Sequence, residues 1–441
     1  MNTSKNISID KVINSGICNG CGTCYSICPE SAIKIVPDFQ KGIFTAVNDN
    51  EKCIECGKCV KVCHSYETVL NGKFLNADPV GQYQNIYYGY SKDENLRFNA
   101  SSGGIISAIL KYLMEKKKIS GFVLVRPTKS SPFIHEAFIS NDILDIKKYA
   151  GTRYIPIPVN KILRELIHME GLFVVIGTPC QIHSITLLER EEPKLKKKIF
   201  IKISVFCGGT PNLNAYPYYL QQHRIKENSI SSIYRGGGWP GHNIFHTNTG
   251  ERILIARRPE KFLHKIYHTL AFFPIFTVKR CLICNDRFGA FSDISVGDAW
   301  LDRFKDDTRG TSLIITRTET ADNLIATMVK DNFIETGSIS KRELIESQII
   351  FLEYYKNFSK TMSIIMGKNL TRQYHFDETY KGDLIWPLKF MLILFGWKLS
   401  QRKYLWKVLF IYGMFFQIVW TTLSIINMKI NIQLNGECLK H

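Results

Sequence analysis

Cysteine recurs near the start of this chain at a spacing that few folds tolerate. Cys18, Cys21, Cys24 and Cys28 are followed by Pro29, and Cys53, Cys56, Cys59 and Cys63 by His64. Both runs read C-x2-C-x2-C-x3-C, the spacing of a bacterial two-cluster ferredoxin, in which three thiolates hold one cube and the fourth reaches across to the other. On that rule Cys18, Cys21, Cys24 and Cys63 take one 4Fe-4S cluster, and Cys53, Cys56, Cys59 and Cys28 take the second. Residues 1–70 therefore read as an α+β ferredoxin-like N-terminal module. The stretch between the runs, AIKIVPDFQKGIFTAVND, alternates like a hairpin. Zinc sites use two C-x2-C pairs rather than two runs of four. A disulfide framework belongs to secreted chains, and MNTSKNISID has no apolar signal core.

Beyond residue 70 the pattern changes. Residues 71–85 are polar, with glycine and asparagine, and read as a linker. From 86 to about 340, short apolar runs (FVLVRP, LFVVIG, IFIKISVF, DISVG, SLIITRT) alternate with helical stretches (SGGIISAILKYLMEKKK, PVNKILRELIHME). That alternation predicts an α/β domain, taken to extend to about residue 380. The 441 residues are enough for two or three domains.

The formal charge of +18 comes from 57 basic and 39 acidic residues. Each oxidised cube with its thiolates contributes about −2, so the formal value overstates the charge of the loaded protein. A basic shell suits reducing clusters, anionic cofactors, an acidic partner or an anionic membrane surface. The lysines are scattered and no nucleic-acid motif is present, so nucleic acid is not an expected partner. Thirteen cysteines without a secretion signal imply a reducing, cytoplasmic setting.

A hydrophobic helical segment is predicted over 384–430. LIWPLKFMLILFGW spans 384–397, Lys398, Arg402, Lys403 and Lys407 follow, and 408–426 is nineteen residues without a charge. It can cross a membrane, lie on its inner face, or pack on the α/β domain.

Of the five remaining cysteines, Cys438 reads as a free thiol in a polar tail. Cys180 (IGTPCQ) and Cys207 (VFCGG) each follow an apolar strand, where sites gather in α/β folds. Cys281 and Cys284 form a C-x2-C pair. Together they suit a third 4Fe-4S cluster, a redox dithiol, a structural zinc, or a nucleophile at Cys180. NASSGGIISAIL is a polar glycine turn opening a helix, a place where free amides bind phosphate. AGTRYIP and YRGGGWPGH add glycine, aromatic and basic character, with Tyr154 or Trp239 able to stack on a flat ring.

These segments together resemble the family of coenzyme F-420 hydrogenase/dehydrogenase β subunits. The resemblance rests on ASSGGIISAIL, AGTRYIPIPV, IGTPCQI, VFCGG, GWPG and KRCLICNDRFGAFSDISVGDAW, over roughly 86–320. It implies an FAD in the α/β domain, held by Ser101, Ser102, Gly103, Gly104, Thr152, Tyr154 and the turn at Gly177 and Thr178. It also implies a third 4Fe-4S cluster on Cys180, Cys207, Cys281 and Cys284. The activity implied is an iron–sulfur flavoprotein oxidoreductase that couples a ferredoxin or redox partner subunit to hydride transfer with coenzyme F-420 or another conjugated substrate. The alternatives are a ferredoxin-dependent reductase of another small molecule and a non-catalytic relay subunit docked to a membrane complex. No acid or base is assigned; Asp286 and Asp298 read as structural.

Overall fold

The computed structural model describes residues 8–71, 78–349 apart from 273 and 285, residue 352, and 386–423 apart from 417, 420 and 421. The segment between the cysteine runs forms the expected hairpin, β1 (Ile33–Asp38) against antiparallel β2 (Ile43–Asn48). Ile33, Ile35, Phe44 and Ala46 gather with Ile9, Val12, Ile17 and Val69 in a small core. At Gly20 a Cβ would stand 2.2 Å from the Phe44 carbonyl oxygen, so only glycine lets the first cysteine loop close over the hairpin.

This module is packed onto the rest of the chain. Leu213 and Ile283 complete its core. Main-chain hydrogen bonds cross the boundary, from Leu213 N to Gly42 O at 2.8 Å and from Asn160 N to Cys21 O at 2.9 Å. Residues 78–84 are held down in turn: Arg317 Nη1 donates to the Val80 and Gln82 carbonyls, at 2.8 and 2.6 Å.

The α/β expectation is met by an eight-stranded sheet. Its strands are β3 (Asn85–Ser91), β4 (Gly121–Thr128), β5 (Ser131–Ser140), β6 (Phe173–Gly177), β7 (Ile199–Val205), β11 (Ile294–Asp298), β12 (Ser312–Thr316) and β13 (Ile334–Ser338). The order is β13-β3-β12-β11-β7-β6-β4-β5. The central strands β11, β7, β6 and β4 are parallel, and the flanking pairs are antiparallel. All five apolar runs singled out in the sequence fall on these strands. Parallel strands need both faces covered. Phe122, Val174, Ile203 and Ile294 pack under the helices Ile105–Glu115 and Glu319–Lys330. Val123, Phe173 and Val175 pack under the helix Pro179–Glu191.

Helix formation at PVNKILRELIHME is shorter than expected: a 3-10 turn Val159–Ile162 and a single α turn Leu163–Leu166. Its first turn docks on the module: Asn160 N donates to Cys21 O, and Asn160 O accepts from Ser26 Oγ at 2.6 Å as well as from Leu163 N.

A second, three-stranded sheet, β8 (Ile230–Gly236), β9 (His242–Thr247) and β10 (Arg252–Ala256), packs with helices Ala215–Gln222 and Phe262–Phe272. The C-terminal segment joins this core. It forms a helix Trp386–Ser400, a 3-10 turn Lys403–Leu405 and a helix over 406–416. Among the described residues no helix is long and apolar enough to cross a membrane. The turn at 401–405 separates the two helices, and Phe390, Trp406 and Leu409 are buried against Tyr216, Tyr218 and Phe276. Residues 353–385 and 424–441, with Cys438, lie outside the described residues.

Candidate electron-transfer and cofactor site

Both ferredoxin-type sets converge as the spacing requires. Cys18, Cys21, Cys24 and Cys63 line one small cavity with Ile9, Val12 and Ile35. Cys28, Cys53, Cys56 and Cys59 line another with Ile9, Ile33 and Ile54. The crossed assignment of Cys63 and Cys28 is thus the arrangement that the fold brings together. Burial pushes the Cys59 thiol up to about 11 and Cys63 to about 12, and neighbouring thiols reinforce both. Without a metal the Cys59 and Cys63 thiols stay protonated, and a bound metal would displace those protons.

The third set assembles from three separate parts of the chain. Cys180 sits at the start of the helix Pro179–Glu191, just after β6; its N-cap Thr178 forms a capping box with Gln181. Cys207 follows β7, the parallel neighbour of β6. Cys281 lies in the 3-10 turn Lys279–Ile283, with Cys284 next after it. All four are near enough to perturb one another: burial first, then the other three thiols, pushes Cys180 well up. The helix start at Cys180 favours an anionic group there. Among the described residues no three His, Cys, Asp or Glu groups lie close enough to hold a single metal ion. A set of four thiols suits either a 4Fe-4S cluster or a tetrahedral zinc.

Seven of the eight residues expected to hold a flavin, Ser101, Ser102, Gly104, Thr152, Tyr154, Gly177 and Thr178, line one half-open cleft at the carboxyl ends of the central strands. Its space between atoms, open solvent included, is about 1350 Å³. Gly103 is placed differently. It is buried, and its N–H donates to Ser312 Oγ at 2.9 Å. The serine hydroxyls also hold the turn: Ser101 Oγ donates to Arg235 O and Ser102 Oγ to Thr311 O, both at 2.9 Å. Trp239, the other candidate for stacking, packs on Trp300 with ring centres 4.7 Å apart.

The basic character noted in AGTRYIP and YRGGGWPGH comes to two guanidinium groups in the cleft wall, Arg153 and Arg235. Arg235, 3% exposed, donates from Nη1 to Asp298 Oδ2 at 2.8 Å and to Tyr154 Oη at 3.1 Å. Burial opposes its charge, but Asp298 and Tyr154 hold it more firmly protonated. Its Nη2 is buried without a protein partner, as is Nε of Arg153. Arg153 Nη1 donates to the Ala150 and Gly151 carbonyls, at 2.8 and 2.7 Å. Both arginines line the cleft, and guanidinium groups there suit a phosphate-bearing cofactor. Asp298 therefore has a structural role, as expected, and it is exercised at the cleft. Asp286 accepts from Gly289 N at 2.7 Å, fixing the loop after Cys284.

Side chains connect these three centres. Asn19, inside the first cysteine run, donates from Nδ2 to Cys180 Sγ at 3.1 Å. Thr178 Oγ1 lies 3.2 Å from the same sulfur and also lines the cleft. Arg280, beside Cys281, reaches back to Ser65 Oγ at 3.2 Å and Thr68 Oγ1 at 3.0 Å. His64 Nδ1 is 3.1 Å from Ser184 Oγ, and burial, with Arg280 and His183 nearby, keeps its ring neutral.

Comparison with known proteins agrees with this geometry. Residues 86–164 match the N-terminal part, and residues 171–342 the C terminus, of the beta subunit of coenzyme F420 hydrogenase/dehydrogenase. Residues 17–66 match the 4Fe-4S dicluster domain. A relative from Methanosarcina mazei, named as a subunit of F(420)H(2) dehydrogenase, is 26% identical over 308 residues, covering 66% of this chain and 80% of that protein. A coenzyme F420-dependent sulfite reductase from Methanocaldococcus jannaschii is 25% identical over 342 residues, covering 72% of this chain and 46% of that protein. Among solved structures, a chain of the F420-reducing [NiFe] hydrogenase complex from Methanosarcina barkeri shares the fold, with a TM-score of 0.52 at 19% identity, over 67% of this chain and 98% of that one.

Proposed function

This chain belongs to the family of coenzyme F420 hydrogenase/dehydrogenase beta subunits, and from that premise we propose that it exchanges electrons between a ferredoxin or redox partner subunit and coenzyme F420 or a similar conjugated substrate. Membership makes it part of an iron–sulfur oxidoreductase family. The finer reading assigns two 4Fe-4S clusters to the N-terminal cysteines, a third to Cys180, Cys207, Cys281 and Cys284, and FAD to the cleft. A flavin, when bound, accepts electrons in pairs and releases them singly, which joins hydride chemistry to iron–sulfur clusters.

The protein's part in this is placement. Asn19 and Thr178 bring the first cysteine set, Cys180 and the cleft into one continuous series of contacts. Arg153 and Arg235 present charge to the cofactor's phosphates, and Asp298 holds Arg235 in position. The helix Ile105–Glu115 starts at the cleft, its first residues Ile105, Ile106 and Ser107 lining the wall.

The series Asn19–Cys180–Thr178 carries this reading most directly, because it places a ferredoxin-type site beside the cleft. Anaerobic purification with metal and flavin counts tests it. About 12 irons and one FAD per chain are expected, since each cube holds four irons. About 8 irons would remove the third cluster. Mixing oxidised F420 with the chemically reduced protein distinguishes the substrate: loss of the coenzyme's visible absorbance supports F420. Unchanged absorbance would leave a reductase of another small molecule or a relay subunit.

A further inference from the structure

We propose that the C-terminal helical pair is a docking pad for the anionic face of a phospholipid bilayer. The inference is independent of the electron-transfer reading and rests on how this segment distributes its apolar side chains.

The pair is apolar on two sides. One side is buried: Phe390, Ile393, Trp406, Leu409, Tyr412 and Phe416 pack into the core of the second sheet. Trp406 Nε1 donates to Ser400 O at 2.9 Å and Trp397 Nε1 to Thr277 O at 3.2 Å, locking that side down. The other side is open. Leu388, Met391 and Phe395 recur at i, i+3 and i+7 on the first helix and are 45–62% exposed. Val408, Ile411 and Phe415 recur the same way on the second helix, Ile418 lies just beyond it, and all four are 50–63% exposed. With Tyr404, the segment 388–418 holds eight of the 21 large apolar residues exposed among the described residues. Such a concentration marks an interaction surface.

Charge selects the occupant. From Trp386 to Gly436 the sequence has no aspartate or glutamate, and it carries Lys389, Lys398, Arg402, Lys403, Lys407 and Lys429. Lys398, Arg402, Lys403 and Lys407 are exposed beside the apolar stripes. Lys403 reaches Glu227 at 3.7 Å, an exposed pair that solvent screens. A second copy of this chain would bring like charges face to face, which disfavours self-association through the pad. An anionic bilayer supplies both complements, an apolar interior for Ile411 and Phe415 and negative headgroups for the lysines. Tyr404 suits the level between them. Both helices are short, so they lie in the interface plane with their other side packed on protein.

The test floats full-length protein with extruded vesicles of phosphatidylcholine alone and of phosphatidylcholine mixed with phosphatidylglycerol. Binding is expected to the mixed vesicles and to fall as salt is raised. The doubly substituted I411E/F415E protein should lose binding by about tenfold or more. Its ellipticity and iron content should match the parent, because both side chains are solvent-exposed. K398E/K407E should bind both vesicle types equally weakly. The proposal is overturned if the parent protein floats with neither vesicle at low salt, or if I411E/F415E binds like the parent. It is also overturned if light scattering shows a dimer that I411E/F415E dissolves, since the pad would then belong to a second copy.

Discussion

The amide of Asn19 donates to the sulfur of Cys180 across 161 residues of sequence, at 3.1 Å. One partner lies in the first cysteine run and the other at the head of the helix that follows β6, so the bond joins two proposed clusters. Hydrogen bonds to a ligating sulfur favour the reduced, more negative state. Replacing Asn19 by leucine removes about 1 kcal/mol of that support, on the order of 40 mV for one electron. An EPR-monitored redox titration of Asn19→Leu should show one cluster shifted negative by this amount, with iron content unchanged. Unshifted potentials would remove Asn19 from the path.

Single cysteine removals separate the three sets. Cys28→Ala and Cys180→Ala should each cost about four irons, one cube, and by different cubes. Iron analysis of the double substitution should show the two losses adding. Full iron in Cys180→Ala would mean that Cys207, Cys281 and Cys284 serve another purpose.

Asp298 is the counter-charge of a buried arginine. Asp298→Ala leaves Arg235 charged, enclosed and unpaired, a change that costs about 3–5 kcal/mol when a buried pair is broken. Urea unfolding should register that loss, and flavin released from the purified variant should register the disturbed cleft. Arg235→Leu with Asp298→Leu, which removes both charges, should recover much of the stability without recovering the flavin.

His135 on β5 is 1% exposed and neither ring nitrogen has a partner. Burial, and then the charge of Arg153, lower its pKa from 6.5 to about 3. A base depressed in the folded state takes up its proton more readily when unfolded. The neutral form therefore supports the fold above pH 6.5, and that support is lost as pH falls from 6.5 towards 3. Denaturation of the parent and of His135→Leu, compared at pH 7 and pH 4, should differ in their acid loss by about 3 kcal/mol, the parent losing more. Parallel acid limbs would contradict this.

The cysteine runs and apolar strands were legible because their signals are local. Spacing alone placed Cys63 opposite Cys18 and Cys28 opposite Cys53, and FVLVRP and LFVVIG carried their strand character within six residues. The cleft was legible only through resemblance, since Ser101, Thr152 and Thr178 come from three distant loops. Arg235 was legible only as basic character in YRGGGWPGH, and Asn19 not at all, because each role is defined by a partner far away in sequence. The docking of PVNKILRELIHME was hidden for a related reason: the partners of Asn160, Cys21 and Ser26, lie far away in sequence. The C-terminal run left its placement open in the sequence, since hydropathy counts apolar residues without saying which face is covered by protein.

The main-chain bonds from Asn160 to Cys21 and from Leu213 to Gly42 bear on inheritance as well as on assembly. A tethered carrier can be exchanged between proteins because only its surface must match. This module shares its interior with the chain that follows it, with Leu213 and Ile283 filling its core. A ferredoxin segment transplanted from another protein would therefore arrive with its own hydrophobic centre incomplete. To function, the graft must bring along the strips around residues 160 and 213, so the two halves of this chain are expected to have changed together rather than to have been shuffled.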